Sequence, residues 1–142
     1  MHCVDVNVLV YAHREDLPHH QDYKDLLETL GNDDEPLGLA DAVLSGFLRV
    51  MTNRRIFNVP TTHLEAWEIV EALIAAPAAV LLSPGQRHWG LFKSLSSQIE
   101  ATGNDFADAF LAAYAVENNA TWLSADRGFA RFDGLHWEHP LS

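Results

Sequence analysis

An α/β fold, a parallel sheet covered by helices, is what this 142-residue sequence predicts, on three observations. Short apolar runs suited to strands alternate with stretches of helical periodicity along the whole chain. No neighbouring pair of strand candidates is joined by a hairpin signal, which leaves parallel strands linked by helical crossovers on both faces. The composition, 48% hydrophobic and 20% charged, is that of a packed protein and not of a disordered chain. No repeat, low-complexity tract or linker divides residues 1–142, which read as one domain.

The elements follow in order. Cys3–Val10 is an apolar run interrupted by Asp5 and Asn7, and reads as a first strand turning into a short helix through Val10–His13. A helix from about His20 to Leu30 places Leu26, Leu27 and Leu30 on one face, and Gly31 stops it. Pro36–Ala40 suits a second strand. Asp41 then stands as the N-cap of a helix in which Val43, Leu44, Phe47, Leu48 and Met51 recur at helical spacing. Thr62-His63-Leu64-Glu65 has the form of a capping box, opening a helix that reaches about Ala76 before Pro77. Ala78–Leu82 is a third strand, followed by a helix from about Gln86 to Ala101. Asp105 caps an alanine-rich helix ending near Asn118, and Thr121–Leu123 and Leu135–Trp137 supply the last strands.

Charge narrows the function. Nine Lys and Arg face 20 Asp and Glu, a net charge of −11. Taken alone, this opposes a nucleic-acid partner, because phosphate backbones attract basic surfaces. The excess is uneven: up to Asp41 there are 10 acids and 2 bases, and after it 10 acids and 7 bases. A single cysteine, Cys3, excludes an internal disulfide framework and a multi-cysteine zinc site, and fits a reducing cytoplasm. The N-terminus has no signal-peptide pattern, and no apolar run approaches the roughly 20 residues of a membrane span.

Many acids have ordinary roles. Asn32–Pro36 reads as a solvated turn, and Glu65, Glu68 and Glu71 fall on one exposed helix face. Asp5, Asp41, Asp108 and Asp126 differ, each beside a strand-like run or at a helix start, and Asp105 neighbours Asp108. Ligands of open parallel sheets bind outside the carboxyl ends of the strands. Asp5 follows the first strand and Asp126 follows Thr121–Leu123, so both point into one crevice. Asp105 and Asp108, three apart at a helix start, face it as well if that helix feeds the Thr121 strand. Carboxylates gathered this way repel one another, and a hard divalent cation such as Mg²⁺ compensates them. Asp41 and Asp105 also fit plain N-caps, and Asp126 a turn. Asp5, an acid at an apolar strand end, and Asp108, on an apolar helix, are harder to explain without a partner.

Other chemistries fit poorly. There is no H-E-x-x-H pair and no Walker or dinucleotide-binding glycine pattern. His19-His20 reads as solvated, Cys3 as buried, and Trp67, Trp89, Trp122 and Trp137 as core packing. A phosphoacceptor domain would want paired acids at the first strand and a late lysine, yet the last lysine is Lys93.

Several stretches resemble a known family. Val4–Tyr11 is similar to the opening strand of PIN-domain nucleases, Asn104–Ala113 to their central Asp-Ala helix, and Ser124–Phe129 to their Thr-x-Asp-x-x-Phe turn. Leu44–Asn53 and Phe129–Leu135, with Pro140-Leu141, are similar to bacterial VapC toxins. The resemblance covers essentially the whole chain. It implies a three-layer α/β/α sandwich around a parallel sheet and a Mg²⁺- or Mn²⁺-dependent endoribonuclease. It also implies a homodimer and a cognate VapB-type antitoxin that inhibits it. Carried over, Asp5, Asp108 and Asp126 are the acidic metal-site residues, and Asn7 and Ser124 orient a carboxylate or a water. Many PIN nucleases carry a glutamate early in the helix after strand two; this chain reads Asp41-Ala42-Val43-Leu44-Ser45-Gly46 there. Asp41 or Asp105 is left as the fourth acid. Arg14, Arg49, Arg54, Arg55 and Arg127 are candidates for RNA phosphates, and the helices near Phe47 and Phe110 for a dimer surface. The missing glutamate also leaves open a non-catalytic PIN-like module that binds a basic protein partner.

Overall fold

The computed structural model describes the whole chain, Met1–Ser142. Five strands, β1 (His2–Val4), β2 (Leu37–Ala40), β3 (Ala79–Leu82), β4 (Thr121–Leu123) and β5 (His136–Glu138), form one sheet. Their order is β3-β2-β1-β4-β5, and every pairing is parallel. Between them lie α1 (Val6–His13), α2 (His20–Gly31), α3 (Asp41–Met51), α4 (His63–Ile74), α5 (His88–Gln98), α6 (Asp105–Glu117) and a 3₁₀ turn at Arg127–Arg131. The chain steps outward from β1 through β2 to β3, then crosses back to β4 and β5. With right-handed crossovers, that reversal places α1–α4 on one face and α5–α6 on the other. The packing agrees: α1 meets α2 and α3, α3 meets α4, and α5 meets α6. The result is the α/β/α layering that the resemblance implied.

The first strand is shorter than the sequence suggested. Asp5 Oδ1 accepts the Val6 N–H at 2.7 Å, so Asp5 caps a helix that starts at Val6 and not near Val10. A run such as Val6–Val10 suits a strand or a buried helix equally, and the cap decides between them. The helix then buries Val8, Leu9, Val10 and Ala12. Two other helix starts also differ. Ala40 and Asn104 occupy the N-cap positions, and Asp41 and Asp105 are the first helical residues. Thr62 behaves as expected, its hydroxyl accepting the Glu65 N–H at 3.2 Å.

Close packing at the sheet centre explains a glycine inside a strand. A Cβ on Gly38 of β2 would lie 2.7 Å from Cys3 Sγ and 2.8 Å from Leu82 Cδ1. Burial pushes the Cys3 thiol up to about 12, which keeps it protonated and inert. Of the tryptophans, Trp122 is wholly buried, whereas Trp67 and Trp89 are 43% and 70% exposed and do not pack in the core. Phe47 itself is wholly buried; the exposed aromatics are Trp67, Trp89 and Phe106. No helix is long and apolar enough to cross a membrane.

Candidate active site

The sheet reverses its direction of travel between β1 and β4, and such switch points open a crevice at the strand carboxyl ends. Asp5 and Ser124 stand there, directly after β1 and β4. The Asp5 N–H donates to Leu123 O at 2.9 Å, which locks the two strand ends together. Ser124, fully buried, donates its hydroxyl to Asp5 Oδ2 at 2.7 Å. Asn7, in the first turn of α1, donates from Nδ2 to Ser124 Oγ at 3.1 Å and to Asp5 Oδ2 at 3.4 Å. Its Oδ1 accepts the Ala125 N–H at 3.1 Å, and Ser124 Oγ accepts the Asp126 N–H at the same distance. Trp137 Nε1 on β5 holds Ser124 O at 3.0 Å. Every donor around Asp5 is neutral.

The electrostatics of Asp5 follow from this setting. Burial raises its pKa above the ordinary aspartate value; hydrogen bonds from Ser124 and Val6 pull it down, and the charges of Asp108 and Asp126 push it up again. Asp5 is therefore acted on by two acids that lie more than 100 residues away in sequence.

The other acids have distinct partners. Asp126 is exposed and caps the 3₁₀ turn, accepting the Gly128 N–H at 2.8 Å. Asp108, in the first turn of α6, accepts from Arg131 Nη2 at 3.1 Å, and Asp105 accepts from the same nitrogen at 3.3 Å. Asp105 thus shares a partner with Asp108. Asp41 is engaged elsewhere: its Oδ1 accepts the Ala42 N–H at 2.8 Å and the Tyr114 hydroxyl at 2.5 Å. No three Asp, Glu, His or Cys side chains converge tightly enough to grip an ion as they stand. The donor chemistry nonetheless fits a hard divalent cation: the donors are carboxylate oxygens, and the buried Asp5 has like charges facing it and no cation of its own.

Arg131 escaped the reading of the sequence. Nothing marked it, since Phe129-Ala130-Arg131-Phe132 looks like a turn carrying a surface charge. Only the 3₁₀ turn brings it back over Asp105 and Asp108. Arg14, by contrast, was a phosphate candidate and is committed to the fold. It donates to both Asp16 oxygens at 2.9 and 2.6 Å and to Val59 O at 2.8 Å, and its guanidinium stacks 3.9 Å from the Phe57 ring centroid. Arg49, Arg54, Arg55 and Arg127 are exposed.

Two clefts flank α1. One of about 630 Å³ begins at Asp5, Val6 and Asn7 and runs to Ile56 and Phe57. The other, about 640 Å³, lies between α2 and α4, with Leu27, Ile69 and Leu73 on its floor and Glu28, Glu65 and Glu68 among its lining residues.

The chain is similar to known proteins along nearly its whole length. The PIN domain family model matches residues 2–135. The chain is 68% identical to Ribonuclease VapC43 of Mycobacterium tuberculosis, covering 99% of this chain and 96% of that one. It is 40% identical to Ribonuclease VapC25 of the same organism, covering 99% of both. Among solved structures, VapBC2 from Rickettsia felis, bound to a DNA fragment from its promoter, superposes with a TM-score of 0.71. That match has 15% identity, covers 97% of both chains and bears on the fold alone.

Proposed function

This chain belongs to the PIN-domain family, among its VapC-type ribonuclease toxins, and on that premise we propose that it is a divalent-metal-dependent endoribonuclease held in check by a VapB-type antitoxin. The observation that carries the reading is Asp5, buried at the switch point with Asp108 and Asp126 acting on it. Asp5, Asp108 and Asp126 would hold Mg²⁺ or Mn²⁺, with Asp105 as the fourth acid, since it stands with Asp108 while Asp41 serves Tyr114. When bound, the cation would polarise the phosphodiester and lower the pKa of a coordinated water.

The residues around the acids have separate tasks. Ser124 and Asn7 fix the Asp5 carboxylate in one orientation. Asp126, on an exposed turn, is open to both water and RNA. Arg127, beside it, and Arg49, Arg54 and Arg55 are free to pair with backbone phosphates. In the hydrolysis, the attacking water oxygen bonds to phosphorus as the opposite P–O bond to ribose breaks, and the departing oxygen takes up a proton. The antitoxin would meet an acidic protein; the α2–α4 cleft, apolar below and glutamate-lined above, suits a basic amphipathic segment. A homodimer would draw on the exposed Trp89 and Phe106.

Purified protein freed of antitoxin should cleave structured RNA with Mg²⁺. Asp5→Asn and Asp108→Asn should each lose roughly a hundredfold or more of that activity, about 2.7 kcal/mol of barrier. Equal cleavage by parent and variants would point to a contaminating nuclease and leave the binding-module reading in its place.

A further inference from the structure

One cation already stands among the acids. Arg131 Nη2 reaches Asp108 Oδ2 at 3.1 Å and Asp105 Oδ1 at 3.3 Å, while Nη1 donates to Gly128 O at 2.5 Å. Its guanidinium carbon lies 4.7 Å from the ring centroid of Phe132, itself buried. The geometry comes from the 3₁₀ turn, which Asp126 caps and Arg131 ends. That turn is tight: a Cβ on Gly128 would fall 2.8 Å from Arg131 Nη1 and 3.0 Å from Asp126 Oδ1. The Arg131 side chain is 32% exposed, so it is anchored yet not sealed in. No other Lys or Arg forms an ion pair with any of Asp5, Asp105, Asp108 and Asp126.

We propose that Arg131 is a built-in counter-ion of the acidic site, which must yield Asp108 before a divalent cation can be held there. The inference rests on the metal reading given above. A guanidinium never loses its charge, so Arg131 cannot stand aside by deprotonating. Two cations on one carboxylate repel, so binding is an exchange and not an addition. Arg131 thereby sets how much free divalent cation the enzyme needs, and it neutralises Asp105 and Asp108 when none is present. A residue that only braced the turn would do the reverse, and its loss would weaken cation binding.

Mn²⁺ titration of the antitoxin-free chain separates these cases, read by calorimetry and by the free-Mn²⁺ electron paramagnetic resonance signal. Arg131→Gln is expected to bind Mn²⁺ roughly twofold to fivefold more tightly than the parent, the worth of one partly exposed charge pair at low salt. Arg131→Lys, which keeps the charge without the fork, should fall between. Should Arg131→Gln fail to fold, the parent still decides. Its Arg131 Nε–Hε resonance must shift in step with Mg²⁺ binding, and a resonance that stays in place while Mg²⁺ binds overturns the proposal. Equal or weaker Mn²⁺ binding in Arg131→Gln overturns it too, and leaves the metal reading intact. A parent that binds no Mn²⁺ at all removes both.

Discussion

Asp5 is the residue on which opposing demands meet. Its carboxylate is nearly out of water and faces two other acids, and burial is the larger cause of its raised pKa. The native state therefore keeps a proton on Asp5 at pH values where the unfolded chain, near 3.9 for an ordinary aspartate, has released it. The unfolded state binds fewer protons in that window, so the Asp5 contribution to stability is full below it and is lost as pH rises through the native pKa. Denaturant melts of metal-free protein in pH steps from about 4 upward should show this decline, and Asp5→Asn should lack it. Identical slopes would mean that Asp5 titrates normally. At this scale the sequence was informative about acids and blind to their counter-charge. Asp5 and Asp126 follow apolar runs and Asp108 interrupts an apolar helix, so each stands out. Arg131 becomes visible only once the 3₁₀ turn is folded.

At the scale of elements, the site depends on how α6 is hung from the sheet. Tyr114, three residues from the end of α6, donates its hydroxyl to Asp41 at the start of α3. Burial, with the Asp41 carboxylate as acceptor, pushes the Tyr114 hydroxyl above its ordinary pKa and keeps it a donor. Next to it His88, buried, bonds Phe110 O through Nε2 at 2.9 Å and meets both aromatic rings edge-on. Tyr114→Phe should destabilise the protein by about 1–2 kcal/mol, or roughly 3–6 °C in Tm, by scanning calorimetry. A melting point equal to the parent's would show that the bond carries no net stability. Helices and strands were legible because their periods differ, and their ends were legible where a cap was unambiguous, as at Thr62. They were not legible where a side chain had two roles. Asp5 was read as the tip of a strand because its capping of Val6 depends on a backbone turn that no pattern of apolar residues encodes.

For the whole molecule, parallel strands in the order β3-β2-β1-β4-β5 put the reversal, and so the crevice, between the first and fourth strands. Alternation of elements implied parallel strands; the strand order was not available to it, because order depends on which faces bury which side chains. The charge of −11 also reads differently once placed. With Arg14 and Arg131 held in ion pairs, Arg49, Arg54, Arg55 and Arg127 are the exposed arginines proposed above for RNA phosphates. The salt dependence of cleavage should therefore be bounded: log kcat/KM against log[KCl] should slope no more steeply than about −3, as about four phosphate contacts on a single strand require. A much steeper slope would reveal a basic footprint formed elsewhere, by dimerisation for instance. Asp5 holds the first turn of α1, and α1 lines both clefts. On the function proposed above, a cell escaping the toxin through Asp5→Val would lose that cap with the chemistry, and the weakened chain would be more open to proteolysis and would soak up less antitoxin. Escape through Asp126→Asn, which keeps a side-chain oxygen for the Gly128 N–H, would leave a folded decoy that still titrates it. Two equally silent alleles would thus leave different amounts of free antitoxin for any second toxin in the same cell.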